Sequence, residues 1–118
     1  MYRVLSTSRN VQLLLERNNV LALAGFNVIS PRRPDESVTL AASEDVDAVV
    51  IGHSVDADTR KAIIADLRRV CPGCLICFVY AAPETKGEPL ADVSLDVSQG
   101  PEPLVAYLKD RLPRRKAS

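Results

Sequence analysis

Ala48-Val49-Val50-Ile51 is an unbroken apolar run, mostly β-branched, set between Asp47 and Gly52. A run without polar alternation fits a strand covered on both faces, the situation at the middle of a parallel sheet. A parallel sheet needs a crossover between each pair of neighbouring strands, so this one segment asks the rest of the chain for helices on either side.

The rest of the chain supplies them in order. Arg3 to Thr7 is β-prone, and from Val11 the apolar residues adopt helical spacing, with Val11, Leu14, Leu15, Leu21 and Ala22 expected on one side. Gly25 ends that helix in the left-handed region and Phe26-Asn27-Val28-Ile29 resumes as a strand. Pro31 to Pro34 breaks it; Pro34, Asp35 and Glu36 then suit a helix start, followed by Val38, Leu40, Ala41 and Ala42. Asp56 or Asp58 is placed to cap a third helix, whose Ile63, Leu67, Val70 and Cys71 recur until Pro72-Gly73. Leu75 to Tyr80 reads as a fourth strand and Ala91 to Val97 as a fifth. Pro101 opens a last helix carrying Leu104, Val105, Tyr107, Leu108 and Leu112. Between Tyr80 and Ala91, Pro83, Gly87 and Pro89 leave room for a loop or a single helical turn.

Regular strand-helix alternation implies parallel strands, right-handed crossovers and helices on both faces of one sheet. At 118 residues the chain is expected to form one domain over 1–112, with 113–118 as a basic, disordered tail carrying Arg114, Arg115 and Lys116. The 15 basic and 15 acidic residues cancel, so no long-range field draws the chain to nucleic acid or to an anionic membrane. The opening Met1-Tyr2-Arg3-Val4-Leu5-Ser6 turns polar too soon for a signal peptide, and three cysteines suit reduced thiols; a cytoplasmic location is expected.

Particular stretches resemble the receiver domain of two-component response regulators. Arg3-Val4-Leu5 is similar to that family's opening strand, Ala24-Gly25-Phe26-Asn27-Val28 to its first helix exit, and Asp47-Ala48-Val49-Val50-Ile51 to the strand before its phosphoacceptor. Ala91-Asp92 and Pro101-Glu102-Pro103-Leu104 resemble its last strand and last helix start. The resemblance implies a flavodoxin-like doubly wound sheet of five parallel strands in the order 2-1-3-4-5, with the fourth helix short or missing. It also implies a site: an acidic pair and an aspartate around Mg²⁺, with a hydroxyl and a lysine on the phosphoryl oxygens.

By that correspondence the acidic pair falls on Ser8 and Arg9, the phosphoacceptor on Gly52, the hydroxyl on Tyr80 and the lysine on Val97. Gly52 offers no nucleophile and Arg9 puts a cation where a metal belongs. Neighbouring Ile51 and His53 are not carboxylates, and Asp96 has the wrong charge for the lysine's role. The expectation is therefore a receiver-like adaptor that is not an enzyme, takes no cofactor or metal, and works by binding another signalling protein or a second copy of itself. Tyr107, Ala106 and Glu102 on the last helix, with the segment from Ala81 to Pro89, are its expected docking surface. Arg9 is the candidate to hold any anion in the strand-end crevice.

A rival reading comes from Cys71-Pro72-Gly73-Cys74, with Cys77 following: a thiol-based redox or metal-responsive protein. Two features weigh against it. The motif follows a helix, whose C-terminus raises rather than lowers a thiol pKa, and the single histidine, His53, lies on another strand end. His53 reads as a helix-entry residue, and Asp56 and Asp58 as caps before displaced phosphoacceptors.

Overall fold

The computed structural model describes residues 1–81 and 87–117. Five strands run β1 (Arg3–Thr7), β2 (Asn27–Ile29), β3 (Ala48–Gly52), β4 (Leu75–Tyr80) and β5 (Val93–Asp96). Between and after them lie α1 (Val11–Leu23), α2 (Ser37–Glu44), α3 (Ala57–Val70) and α4 (Glu102–Ala117), with a short 3₁₀ turn at Pro34–Glu36 leading into α2. All pairings are parallel and the sheet order is β2-β1-β3-β4-β5.

The uninterrupted apolar run becomes the central strand, buried at every position from Ala48 to Gly52. Its residues alternate between two cores. Ala48 and Val50 face Leu21 of α1, Phe26, and Leu104, Leu108 and Leu112 of α4. Val49 and Ile51 face Ala41 of α2 and Ile63, Ile64 and Leu67 of α3. Two helices thus cover each face, the doubly wound arrangement.

Local chemistry fixes the helix ends. Asn10 Oδ1 accepts from the Leu13 amide at 3.1 Å and Asp56 Oδ2 from the Thr59 amide at 3.1 Å, each satisfying an open donor of a first turn. Asp56, not Asp58, is the cap. Gly25, at φ 100°, turns the chain out of α1 where a side chain would be strained.

Three differences from the sequence reading have physical causes. The buried stripe of α1 is Arg17 and Leu21 with half-buried Leu14, whereas Val11 and Leu15 are 66% and 63% exposed. Leu14 and Leu21 of the expected face lie inward, but Val11, Leu15 and Ala22 do not, because the charged Arg17 takes the position between Leu14 and Leu21. The last helix does not stop at Leu112 but continues through Pro113 to Ala117. Proline removes the bond to the Lys109 carbonyl, but both residues are exposed, so water can satisfy that carbonyl while buried Leu112 holds the turn on the core. β5 is shorter than Ala91 to Val97: the Asp92 amide still donates to the Ile76 carbonyl at 2.8 Å, but the Ile76 amide is taken by Asp92 Oδ2 at 2.7 Å, so the ladder begins at Val93.

No helix is described between β4 and β5; residues 82–86 of the expected docking segment lie outside the described residues. The described end of this crossover is fastened by Glu88. Its Oε1 accepts from Arg60 Nε of α3 at 2.8 Å, its Oε2 from the Leu90 amide at 3.1 Å, and its own amide donates to Ser94 Oγ at 2.8 Å.

Candidate functional site

The carboxyl ends of β1, β3 and β4 and the start of α4 surround a cavity of about 290 Å³. This is where open parallel sheets bind ligands, because the loops diverge there. Ser8, Gly52 and Val97, three of the five positions assigned from the receiver resemblance, line it. The other two do not. Arg9 is exposed on the outer side, 3.9 Å from Asp56 Oδ1. Tyr80 shares the strand parity of Phe78, stacks on it with ring centroids 6.0 Å apart, and so belongs to the α3 side of the sheet. Its neighbour Ala81 lines the cavity instead.

The first and third strand-end loops are stitched together by hydroxyls. Ser8 Oγ and Ser54 Oγ are 2.7 Å apart, and Ser54 Oγ accepts from the amides of Arg9 and Asn10 at 2.9 and 3.2 Å. These contacts place Gly52 at the cavity wall, and the group facing it is one that sequence reasoning missed. Arg17, on the inward face of α1, is only 8% exposed. It donates through NH1 to Ser6 Oγ at 2.9 Å and to the Thr7 carbonyl at 3.3 Å. Its other terminal nitrogen would lie 2.8 Å from a Cβ built on Gly52, and Ser8 Oγ 3.1 Å from the same point. A side chain at position 52 would thus meet the end of the Arg17 guanidinium and the Ser8 side chain, and one of them would have to shift.

Arg17 carries its charge without a counter-ion: among the described residues no carboxylate forms an ion pair with it. Burial lowers its pKa to about 10, which still leaves it protonated at neutral pH. The sequence signal was an arginine three residues after Leu14 and four before Leu21, inside an otherwise apolar stripe.

The receiver's Mg²⁺ does not fit this set. A hard dication wants several carboxylate or carbonyl oxygens, whereas the side chains here are two serine hydroxyls, the exposed Glu16 carboxylate, His53 and a buried guanidinium. Nor do other carboxylates supply it. Asp56 is held by Thr59 at the head of α3, and hydrogen bonds from the Thr59 hydroxyl and amide keep its pKa below the usual range. Asp47 lies at the opposite, amino end of β3. Hydrogen bonds from the Ser98 hydroxyl and from its amide, the latter at 2.8 Å, likewise lower the Asp96 pKa.

The cysteine reading finds no support in geometry or acidity. Cys71 caps the C-terminal end of α3 and its thiol meets the Val46 carbonyl at 3.6 Å. Burial pushes Cys74 and Cys77 up to about 12, so both stay protonated thiols, which are poor nucleophiles. Among the described residues, no three His, Cys, Asp or Glu side chains come together as a metal site.

Among the described residues the large exposed apolar side chains lie on α1, at Val11, Leu13, Leu15 and Leu23, and at Met1, Val70 and Leu90, with none on α4. On α4, Glu102 and Ala106 are exposed, while Tyr107 is half-buried against the core with the Arg111 guanidinium 5.4 Å from its ring centroid. On α1, Val11, Leu15 and Leu23 stand out at 66%, 63% and 80% exposure. Among the described residues no helix is long and apolar enough to cross a membrane.

Neither a protein-family model nor a curated protein matches the chain. Solved structures do. A CheY-like response regulator receiver domain protein from Methanospirillum hungatei superposes with a TM-score of 0.85 over 99% of this chain and 98% of its own, at 14% identity. A response regulator protein from Thermotoga maritima, solved in complex with Mg(2+)-BeF, gives 0.80 over 93% and 98% at 15% identity. An orphan response regulator of H. pylori gives 0.77 over 94% and 96% at 19% identity. At these identities the likeness establishes the receiver fold.

Proposed function

We propose that this chain is a phosphorylation-independent signalling or regulatory adaptor, a receiver-like module that is not an enzyme and acts through protein–protein contacts. The observation that supports it is the pairing of Gly52 with Arg17. Where the receiver resemblance puts a nucleophilic aspartate there is no side chain, and the space it would need holds a buried cation. Phosphoryl transfer requires a positioned nucleophile and cations on the developing charge of the phosphoryl group. Arg17 is a cation, but it stands on the nucleophile's side and excludes the dication that would bridge donor and acceptor.

Without that switch, the helix faces remain as the means of action. The partner is another signalling protein or a second copy, docked on the α4 side around Glu102, Ala106 and Tyr107. A reduced cytosolic setting goes with the three free cysteines.

Amide chemical-shift mapping with Mg²⁺ and beryllofluoride, the combination present in the Thermotoga neighbour, tests this reading. No shift is expected at Ser8, Gly52, His53 or Val97. Saturable shifts at those amides, dependent on both reagents, would refute it.

A further inference from the structure

We infer that the strand-end cavity is a binding site for a small organic monoanion, a carboxylate on a short apolar body, held by the Arg17 guanidinium. This goes beyond the adaptor reading and stands apart from it: an adaptor without a ligand and a ligand-binding protein without a partner are both possible outcomes.

Three observations carry the inference. Arg17 is more than nine-tenths buried, yet its hydrogen bonds to described residues use only NH1, through Ser6 and Thr7. Its Nε and second amino group are left for a further acceptor, in a fork that matches the two oxygens of a carboxylate. The cation also lacks a carboxylate partner among the described residues, and an isolated buried charge is unfavourable until something neutralises it. The third is the cavity itself, which the guanidinium lines and which is near the lower limit for small-ligand pockets.

The lining decides the ligand's class. Leu13, Val79, Val97, Pro101 and Leu104 make up the apolar part of the lining, which suits hydrocarbon. Ser8 and Ser98 add hydroxyls to the lining, that of Ser8 already paired with Ser54. Glu16 also lines the cavity, exposed and bonded to Gln12 Nε2 at 3.3 Å, and it disfavours a second negative charge. One buried cation, one carboxylate nearby and an apolar lining select a monoanion with a hydrophobic end over a phosphate dianion.

The test titrates the whole chain with butyrate, with neutral butyramide of nearly the same shape and with inorganic phosphate. It follows backbone amides and the Arg17 Nε–H resonance. Butyrate is expected to shift Arg17 Nε–H and the amides of Ser8, Gly52, Val97 and Leu104 in one saturable transition. Butyramide and phosphate are each expected to bind at least about tenfold more weakly. Arg17→Lys, which keeps the charge but loses the fork, is expected to weaken butyrate by about tenfold, and Arg17→Met to abolish its effect. The wild-type resonance decides the matter even where a variant fails to fold. Absence of a butyrate shift at Arg17, or equal binding of butyrate and butyramide, overturns the proposal. Phosphate binding as tightly as butyrate overturns the apolar half of it.

Discussion

Arg60 Nε donates to Glu88 Oε1 across 2.8 Å, and the same guanidinium lies 4.3 Å from the centroid of the Phe78 ring. The contact joins α3 to the crossover that precedes β5, with both residues buried. Burial alone would raise the Glu88 pKa, but the Arg60 hydrogen bond and the Leu90 amide outweigh it and hold the carboxyl below its ordinary value. A carboxyl depressed in the folded state stabilises the protein above its unfolded pKa of about 4.3, and that contribution is lost as pH falls through the folded value. Denaturant unfolding from neutral pH downward should therefore show a loss of stability at acid pH that Glu88→Gln reduces. Glu88→Ala, which strands Arg60, should cost about 3–5 kcal/mol at neutral pH.

At Gly52 the expected effect is steric and couples to one residue. Gly52→Ala pushes a methyl against Arg17 and Ser8, an overpacking worth about 1–3 kcal/mol. In an Arg17→Met background the flexible thioether yields more readily, so the same substitution should cost measurably less. A double-mutant cycle by urea unfolding checks this; additive losses would mean the guanidinium is not the group that a side chain at position 52 meets.

The thiols give an alkaline counterpart. Cys74 and Cys77 ionise near 12 in the folded chain because burial disfavours the thiolate. A thiol pKa raised on folding contributes stability that is present below the unfolded value of about 8.5 and declines as pH rises above it. Timed alkylation at mildly alkaline pH should modify half-exposed Cys71 first, with Cys74 and Cys77 reacting only after denaturation.

For the docking face, Ala106→Glu changes an exposed residue and should shift stability by no more than about 0.5 kcal/mol while removing self-association or partner binding. Leu15→Glu is the comparison, since α1 exposes more apolar surface. Sedimentation and partner titration with both variants decide between the faces: loss on Leu15→Glu alone moves the interface to α1.

How much of the molecule is legible in its sequence follows from how strongly each segment constrains its surroundings. Ala48 to Ile51 admits only a doubly covered strand, and from it the parallel order and two-sided helix cover follow; Gly25 and Asp56 mark helix ends through local chemistry. The inward side of α1 is hidden because Arg17 interrupts its stripe while Val11 and Leu15 supply a competing one that points to water. Strand parity decides Tyr80 against Ala81 at the cavity, and a one-residue ambiguity at a strand end is enough to reverse it. Arg9 draws attention as the nearest cation in sequence, but Arg17 reaches Gly52 because two helical turns carry it back over the sheet. Ser6, Thr7 and Ser8, which receive or neighbour it, read as ordinary strand-end polar residues until α1 is in place.

We propose that the pairing of Gly52 with Arg17 leaves this receiver fold without a phosphoryl switch. Intact-mass measurement after incubation of the wild-type chain with acetyl phosphate and Mg²⁺ tests it most directly. An unchanged mass is expected, and so is the absence of phosphorylation on Gly52→Asp, whose new carboxylate would pair with Arg17 instead of a metal. A hydroxylamine-sensitive gain of one phosphate on the wild-type protein would contradict the claim and turn attention to Asp56 and Asp58 as displaced acceptors.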